Sequence, residues 1–250
     1  IPAVKNFLIE HFIRQFGVNM NEAAQPDYKR YNNFNSFFTR PLVDGARPVC
    51  TDGVACPADG AISQLGTIGH SRIFQAKGQH YTTIELLGGD RDLAHLFDDG
   101  MFATVYLSPR DYHRVHMPVA GRLLRSIYVP GDLFSVNNTT AENVPRLFAR
   151  NERLVAIFDT QYGEMAVVLV GAMIVAGIET VWGGQVAPRR RLGEVTDYSA
   201  PLSVVELELG AEMGRFKLGS TAIVLFRKDC GLQWQAQPGD AVKMGQQLAR

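Results

Sequence analysis

From about residue 54 onward the sequence consists of short apolar runs separated by Gly, Pro and Asp, and this pattern constrains the fold more than any other feature. The runs include GAISQLGTI, MFATVYLSP, GRLLRSIYVPG, RLVAIFDT, EMAVVLVGAMIVAGIETVW, LSVVELELG and STAIVLF. Apolar runs of this length that end at turn residues are typical of β-strands. Two stretches favour helices instead, one near Thr82 to Leu87 and one near Asn143 to Asn151. The sequence therefore predicts a mainly β (α+β) fold with a few short helices.

The N-terminal segment has a different pattern, with helical spacing of its apolar residues: Val4, Phe7, Leu8, Ile9, Phe12, Ile13 and Phe16. This spacing predicts an amphipathic helix that ends at Gly17. The stretch NNFNSFFTRPLVDGARPV then predicts a short helix followed by an extended segment containing Pro41 and Pro48, because proline fits neither a helix interior nor a central strand. The helix either packs on its own domain or lies in a membrane surface.

Composition excludes several classes of function. The chain has 250 residues, with 25 Lys and Arg against 25 Asp and Glu. This balance gives no general attraction to nucleic acid, so no nucleic-acid partner is expected. No run of about 18 uncharged apolar residues is present to cross a bilayer as a helix. The three cysteines lack metal-ligand spacing and are expected to be reduced thiols.

Three separate places carry candidate chemistry: Asp59 in CPADGAISQLG, His113 and His116 in SPRDYHRVHMPVAG, and Gly219-Ser220 in RFKLGSTAIVLF. An Asp, a His and a Ser can form a triad in which the hydroxyl attacks a carbonyl and the imidazole removes its proton. Spacing alone leaves other interpretations open. Asp59-Gly60 is also a common turn, and Gly219-Ser220 a common kink.

Other site types match the sequence poorly. A helical zinc pair has its histidines four residues apart with a Glu between them, and His113-x-x-His116 lacks this pattern. No metal is therefore expected. Ser220 does not lie in the G-x-S-x-G turn of a serine hydrolase, and the sequence has no glycine-rich nucleotide loop.

The motifs PADG, DYHRVHMP and FKLGST, in this order, resemble the prokaryotic-type phosphatidylserine decarboxylases, which are pyruvoyl enzymes. The likeness also includes NSFFTRPL, GARPV, PGDLFSVN, LFARNERL and VGAMIVAGIETVW, and so covers nearly the whole chain. Each motif alone is a weak indicator of the family, but their occurrence together in this order is specific to it. The resemblance implies decarboxylation of phosphatidylserine to phosphatidylethanolamine and CO2.

In that family the Gly-Ser peptide is a self-cleavage site, which here corresponds to Gly219-Ser220. The resemblance implies an Asp59-His116-Ser220 triad for this cleavage, with His116 as general base and Asp59 orienting it. Cleavage would leave a β subunit of residues 1–219 and an α subunit of residues 220–250. The cofactor implied is a covalent pyruvoyl group (pyruvate) derived from Ser220, which forms a Schiff base with the substrate amine. His113 is the candidate that protonates the product carbon, with His116 as the alternative.

A lipid substrate implies contact with an anionic membrane surface. We expect residues 1–48 to be a membrane-associating helical segment, with insertion of Phe7, Phe12 and Phe16, and residues 49–250 to be the catalytic domain. The basic run at 189–191 is a second candidate for membrane contact. The family likeness implies a peripheral protein on the cytoplasmic face of the cell membrane, and a homodimer.

Two other hypotheses remain open. QPGDAVKMGQQLA and PADGAIS resemble turns of barrel-sandwich-hybrid domains, which serve as carriers, so the β core is expected to be barrel-sandwich-hybrid-like. A carrier or binding module would not need the Gly219-Ser220 step or the histidine pair. The other hypothesis is a processing-dead relative that binds lipid without catalysis.

Overall fold

The computed structural model of the chain describes residues 2–172, 177–187, 192–217 and 220–250. Gly219 of the predicted cleavage site and the basic run at 189–191 lie outside the described residues. Strands in several sheets account for most of the regular structure, and the helices are few and mostly short. The prediction of a mainly β fold is therefore confirmed.

The helices are α1 (Pro2–Phe16), α2 (Phe34–Phe38), α3 (Thr83–Leu86), α4 (Arg91–His95), α5 (Asn138–Asn143) and α6 (Leu147–Arg150), with 3-10 turns at Tyr28–Arg30 and Pro201–Ser203. The two predicted helical stretches contain α3 and α6. Thr82 begins α3 with a capping box, in which its hydroxyl accepts from Glu85 N and the Glu85 carboxylate accepts from Thr82 N. The sequence interpretation missed α4, although Asp90 caps it by accepting from Leu93 N.

The strands are β1 (Val54–Ala55), β2 (Gly60–Thr67), β3 (Arg72–Ala76), β4 (Gln79–Thr82), β5 (Met101–Leu107), β6 (Arg114–His116), β7 (Gly121–Val129), β8 (Arg153–Thr160), β9 (Gly163–Gly171), β10 (Ile178–Thr180), β11 (Gly184–Ala187), β12 (Glu194–Asp197), β13 (Glu206–Leu207), β14 (Glu212–Phe216), β15 (Ser220–Phe226), β16 (Ala241–Val242) and β17 (Gln247–Ala249).

The largest sheet has nine strands in the order β12-β7-β8-β9-β15-β5-β2-β16, with β13 also pairing with β7. A second sheet has the order β11-β10-β14-β6, and two small sheets pair β1 with β17 and β3 with β4. Strand β15 lies between β9 and β5 and is antiparallel to both. Residue 220, at the start of β15, is therefore held by a neighbour on each side.

Both faces of the large sheet are buried. In β15, Ala222, Val224 and Phe226 belong to one apolar cluster, whereas Ile223 and Leu225 belong to another. The alternation follows from the two-residue period of a strand, which sends successive side chains to opposite faces. Burial on both faces explains why β9 and β15 read as continuous apolar runs rather than as alternating ones.

The N-terminal helices form a separate aromatic cluster. Helix α1 ends at Phe16, and Gly17 follows with φ +67°, as predicted for a glycine at a helix end. Ile9, Phe37 and Phe38 are fully buried there, and Phe12 packs edge-on against both of these phenylalanines. In the described ranges, no helix is long and apolar enough to span a membrane.

Candidate active site

Ser220 occupies a buried position in the middle of the large sheet. It is the first described residue of β15, it is fully buried, and it pairs with Leu107 of β5 and Gly171 of β9. Because both neighbouring strands pair with it, the backbone of residue 220 is fixed within the sheet. Its hydroxyl contacts the ring of His113.

His113 is the histidine next to Ser220. Its Nδ1 lies 3.4 Å from Ser220 Oγ, its Nε2 lies 3.1 Å from the Ser108 carbonyl oxygen, and its ring stacks on Phe38 at 3.9 Å between centroids. A carbonyl oxygen can only accept a hydrogen bond, so Nε2 carries the proton. Nδ1 is then unprotonated and can accept a hydrogen bond from the Ser220 hydroxyl.

The surroundings of His113 keep it neutral. Burial and, after it, the positive charge of Arg40 lower its pKa to about 3, against smaller opposing effects of backbone hydrogen bonds at Ser108 and Pro109 and of the Asp59 charge. A neutral imidazole can accept a proton at Nδ1 but binds it weakly at such a pKa. An anionic ligand nearby would raise this pKa, so the protonation of His113 is coupled to what occupies the site.

His116 lies three residues later, in β6, and contacts different groups. Its backbone N donates to the Pro57 carbonyl at 2.8 Å. The ring Nδ1 donates to the Gly210 carbonyl at 2.8 Å, and Nε2 accepts from the Tyr112 hydroxyl at 2.9 Å. Burial raises the pKa of Tyr112 to about 12, so this hydroxyl keeps its proton and is the donor. Burial also lowers the pKa of His116, which favours the neutral ring.

Asp59 is buried at the end of the segment that precedes β2 and is bound by three groups. Arg47 holds it in a forked pair, with Nε 2.9 Å from Oδ1 and Nη2 2.6 Å from Oδ2. Met244 N donates to Oδ1 at 2.9 Å, and Lys243 Nζ lies 3.2 Å from Oδ2. Burial acts to raise the pKa of this carboxyl, but the hydrogen bonds from Arg47 and Met244 outweigh it, so the pKa lies below its ordinary value.

Gly60 explains the local geometry of the Asp59-Gly60 step. A Cβ at residue 60 would lie 2.1 Å from the Tyr106 carbonyl oxygen of β5, so no larger residue fits this close approach of two backbones. Asp59 and Gly60 therefore form the turn that leads into β2, which pairs with β5.

The structure brings only some of the predicted site residues together. His113 contacts Ser220, whereas no hydrogen bond among the described residues links Asp59 to His116 or His116 to Ser220. Asp59 is close enough for its charge to raise the pKa of both histidines. The chain thus places all four groups in one region, and the Asp59-His116-Ser220 arrangement stays a prediction.

Two residues that hold this region were missed by the sequence interpretation. Arg47 neutralises Asp59 and also binds Glu22 at 2.7 Å, and Tyr112 fixes the His116 ring. Arg47 lies in the motif GARPV, but no sequence pattern indicates that its side chain binds Asp59. Tyr112 precedes His116 by four residues inside DYHRVHMP, and this proximity was the one available signal.

A cavity of about 350 Å³ lies beside these residues. Asp59 and Tyr112 form part of its wall, and Gly17 and Asn19, just after α1, form another part. The cavity therefore connects the predicted site with the N-terminal segment.

The three predicted membrane residues have different surroundings. Phe7 is 67% exposed, together with Val4 and Leu8 on the same side of α1. Phe12 and Phe16 are half-buried and pack against each other at 4.5 Å between ring centroids, on the aromatic cluster with α2. Only Phe7 of the three is free to contact a surface.

Comparison with known proteins identifies the family. The family model described as Phosphatidylserine decarboxylase matches residues 34–250. The chain belongs to the phosphatidylserine decarboxylase family. The match includes Asp59, His113, His116 and Ser220, and it begins after α1.

Similar members of the phosphatidylserine decarboxylase family occur in pseudomonads. A protein of Pseudomonas fluorescens named "Phosphatidylserine decarboxylase proenzyme" is 59% identical over 249 residues, which are 98% of this chain and 86% of that protein. One of Pseudomonas aeruginosa with the same name is 64% identical over 225 residues, which are 89% of this chain and 78% of that protein. The word proenzyme in these names describes relatives that are made as precursors.

Proposed function

We propose that this chain is a phosphatidylserine decarboxylase, which converts phosphatidylserine to phosphatidylethanolamine and CO2 after cleaving itself between Gly219 and Ser220. The single observation that carries the proposal is the buried Ser220 hydroxyl next to His113 Nδ1, at the position where the family motif places the reactive serine. The family membership and the names of the relatives support the same activity.

The cleavage step uses the Ser220 hydroxyl as nucleophile. The hydroxyl oxygen attacks the carbonyl carbon of residue 219, and the peptide C–N bond breaks to leave an ester. Elimination then releases the new carboxylate of residue 219, and hydrolysis of the remaining dehydroalanine releases ammonia. The products are a β subunit of residues 1–219 and an α subunit of residues 220–250 that begins with a pyruvoyl group.

The surroundings of residue 220 fit this group. A pyruvoyl group is small and uncharged, and the residue 220 position is fully buried between two strands, where a charged cofactor would be costly. Bound to substrate, the group supplies an electron sink for the pair left when CO2 departs. The protein holds its position and excludes water.

We assign the two histidines different steps. His116 acts as general base in cleavage, oriented by Asp59, as the family resemblance implies. To reach Ser220, its Nε2 must exchange the Tyr112 hydroxyl for the serine hydroxyl. Neutral His116 is an acceptor at that nitrogen, which is the state that a general base needs.

His113 serves the decarboxylation step. Its Nδ1 lies 3.4 Å from the side-chain oxygen of residue 220, so it is within reach of chemistry at that position. Its low pKa suits a group that holds a proton only while an anionic substrate is bound nearby. His113 would then deliver that proton to the carbon from which CO2 has left.

The N-terminal segment, residues 1–48, serves as the membrane contact. Val4, Phe7 and Leu8 form an exposed apolar patch on α1, while the opposite side of the helix is packed on α2. Insertion of this patch would place the cavity after Gly17 at the lipid headgroups. We propose a peripheral location on the cytoplasmic face of the cell membrane, and a homodimer, on family likeness alone.

Intact mass under denaturing conditions tests the processing. We expect two polypeptides, the smaller one starting at residue 220 and lighter by one ammonia than the same peptide with N-terminal serine. Ser220→Ala should give one uncut chain without decarboxylase activity, and Ser199→Ala, on the exposed surface, should process normally. A single uncut wild-type mass with no CO2 release from phosphatidylserine would contradict the proposal and favour a processing-dead relative.

Flotation with anionic vesicles tests the membrane contact. We expect Phe7→Ser to reduce the bound fraction several-fold, because it removes an exposed aromatic side chain from the inserted patch. Phe74→Ser is the matched control, since Phe74 is 43% exposed on β3 and outside α1. Equal flotation of the two variants and wild type would rule out the α1 patch as the anchor.

A further inference from the structure

Arg40 carries a buried positive charge that the described residues do not satisfy. Its side chain is 3% exposed, and its Nε and Nη1 have no hydrogen-bond partner within the described part of the chain. Nη2 donates one long hydrogen bond of 3.3 Å to the Arg110 carbonyl. The guanidinium carbon also lies 5.5 Å from the centre of the Phe37 ring. No carboxylate is paired with it among the described ion pairs.

Arg40 differs in this respect from Arg47 and Arg114, two other arginines near the site whose side chains are largely buried. Arg47 binds both Asp59 and Glu22, and Arg114 binds Glu212 at 2.7 Å and the Thr39 carbonyl at 2.9 Å. A buried cation without a counter-ion is destabilising, because the charge has lost its water. Such a group is retained where it binds something that the folded chain alone does not contain.

Arg40 lines the cavity next to the predicted site. The acidic residues of the same wall are engaged elsewhere, since Glu22 and Asp59 accept from Arg47 and Asp111 accepts from Ser108 N at 2.7 Å. Arg40 is therefore a buried donor in the wall of this cavity with free N–H groups, and an anion is the ligand that these charged groups can bind.

We propose that Arg40 binds the phosphodiester of the phosphatidylserine headgroup and so positions the lipid for reaction at residue 220. The inference rests on the proposed function for the identity of the substrate. The cavity extends from the end of α1 to Asp59 and Tyr112, and Arg40 in its wall lies close enough to His113, the neighbour of Ser220, for its charge to act on that ring.

The phosphodiester suits Arg40 better than the substrate carboxylate does. The carboxylate loses its charge as CO2 leaves, so a cation paired with it would stabilise the reactant more than the transition state and slow the reaction. The phosphodiester keeps its charge throughout. Binding it holds the substrate equally in both states and is expressed mainly in KM.

The contact also connects substrate binding with His113. The charge of Arg40 is the main electrostatic effect that, after burial, disfavours protonation of His113. A phosphodiester on Arg40 neutralises that charge, which makes the proton on His113 easier to hold when substrate is present. His113 therefore holds a proton more readily when substrate is bound, and this proton is the one that His113 would deliver to the product carbon.

A ³¹P NMR titration of the purified processed protein with glycerophosphoethanolamine tests the contact directly. This probe has the phosphodiester and amine of the product headgroup but no carboxylate and no acyl chains. We expect Arg40→Met to weaken its binding by about 10- to 100-fold, the loss typical of a charge-assisted hydrogen-bonded contact. Arg91→Met, which removes the same charge from the exposed start of α4, should bind like wild type. Equal binding by Arg40→Met and wild type would overturn the proposal.

Two further probes define the ligand. Ethanolamine, which lacks phosphate, should bind equally to wild type and Arg40→Met, whereas an Arg40-dependent loss of ethanolamine binding would indicate a structural effect. Inorganic phosphate should bind more weakly than glycerophosphoethanolamine. Equally tight binding of inorganic phosphate would mean a free-phosphate site, which also contradicts the headgroup assignment.

Stability and turnover separate this inference from the proposed function. Arg40→Met should have a Tm equal to or above that of wild type, because an uncompensated buried charge is removed, and KM for phosphatidylserine should rise more than kcat falls. Arg40→Lys keeps the charge but has fewer N–H donors and should bind with intermediate affinity, so it serves as the test if Arg40→Met does not fold. Arg40-dependent probe binding without decarboxylation would reject the function and keep the anion site. Decarboxylation with unchanged probe binding in Arg40→Met would reject only the Arg40 contact.

Discussion

His113 and His116 lie three residues apart in one segment, yet their surroundings are opposite in kind. His113 is completely buried, stacks on the Phe38 ring and contacts the Ser220 hydroxyl through Nδ1 at 3.4 Å. His116 lies at the edge of the buried region, and both of its ring nitrogens are already bonded, to Gly210 and Tyr112. The ring of His113 therefore contacts the predicted reactive residue, whereas the ring of His116 contacts other groups.

This difference shows how one short motif can place two histidines in different surroundings. A strand sends neighbouring side chains to opposite faces, and the turn before β6 adds a further change in direction between His113 and His116. The two rings consequently meet different elements, β15 in one case and the segment before β14 in the other. Two histidines with different partners can have different protonation states at the same pH.

Alanine substitutions at the two positions should have the largest effects and should separate the two reactions. His116→Ala should slow self-cleavage by about 10²- to 10⁴-fold, the usual contribution of a general base. His113→Ala should still be cleaved but should lose decarboxylase activity by a similar factor. Gel separation of the two chains measures the first result, and CO2 release from phosphatidylserine measures the second.

The matched control for this pair is His80→Ala on β4, which is exposed and should leave both reactions unchanged. A block of cleavage by His113→Ala would reverse our assignment and make the observed contact between His113 Nδ1 and Ser220 Oγ the contact that initiates cleavage.

Arg47 offers a way to disturb both histidines at once, because it neutralises the Asp59 charge that acts on each of them. Arg47→Met leaves a nearly fully buried carboxylate with weaker partners and should lower the free energy of unfolding by about 3–5 kcal/mol. Urea unfolding at neutral pH measures this loss. Arg227→Met, whose partner Glu164 is a surface residue, should change stability little. Equal stability of the two variants would show that Asp59 does not need Arg47.

The pH dependence of stability tests the same pair. The folded-state pKa of Asp59 lies below its ordinary value, so the carboxylate contributes stability above the unfolded-state pKa, about 3.9. That contribution is lost as the pH falls through about 4 toward the lower folded-state value. We expect wild type to lose stability over this range more steeply than Arg47→Met, and thermal unfolding at a series of pH values measures the two slopes. Parallel slopes would contradict the depressed pKa.

The sequence was sufficient to predict the β class and the N-terminal helix. Continuous apolar runs such as the one over β15 report burial on both faces, and Gly17 marks the end of α1. Pairings across long separations could not be predicted. The Arg47-Asp59 pair joins two loops, and the stacking of Phe38 on His113 joins residues 75 positions apart, since 113 − 38 = 75. Neither pair has a local pattern, because the nine-stranded sheet and the aromatic cluster bring them together.

The apolar residues of α1 show the same limit of prediction from sequence. Helical spacing identified the apolar residues but could not say which of them would be covered. Phe12 faces α2 and is packed there, whereas Phe7, five residues earlier, remains exposed. The covering surface comes from Phe34, Phe37 and Phe38, which a separate motif supplies.

Tyr112→Phe should have the smallest effect and gives the sharpest comparison of the two histidines. It removes one hydroxyl that donates to His116 Nε2 and leaves the partners of His113 unchanged. The loss in stability should be about 1 kcal/mol, the usual net value of one hydrogen bond. Because Nε2 no longer has to exchange a partner, cleavage should proceed at least as fast as in wild type, while decarboxylation of the processed enzyme should change little. Cleavage followed after rapid dilution from denaturant measures the first rate. Slower cleavage in Tyr112→Phe would mean that the hydroxyl orients His116 for the reaction, and Tyr112 would then be a positioning residue of the cleavage step.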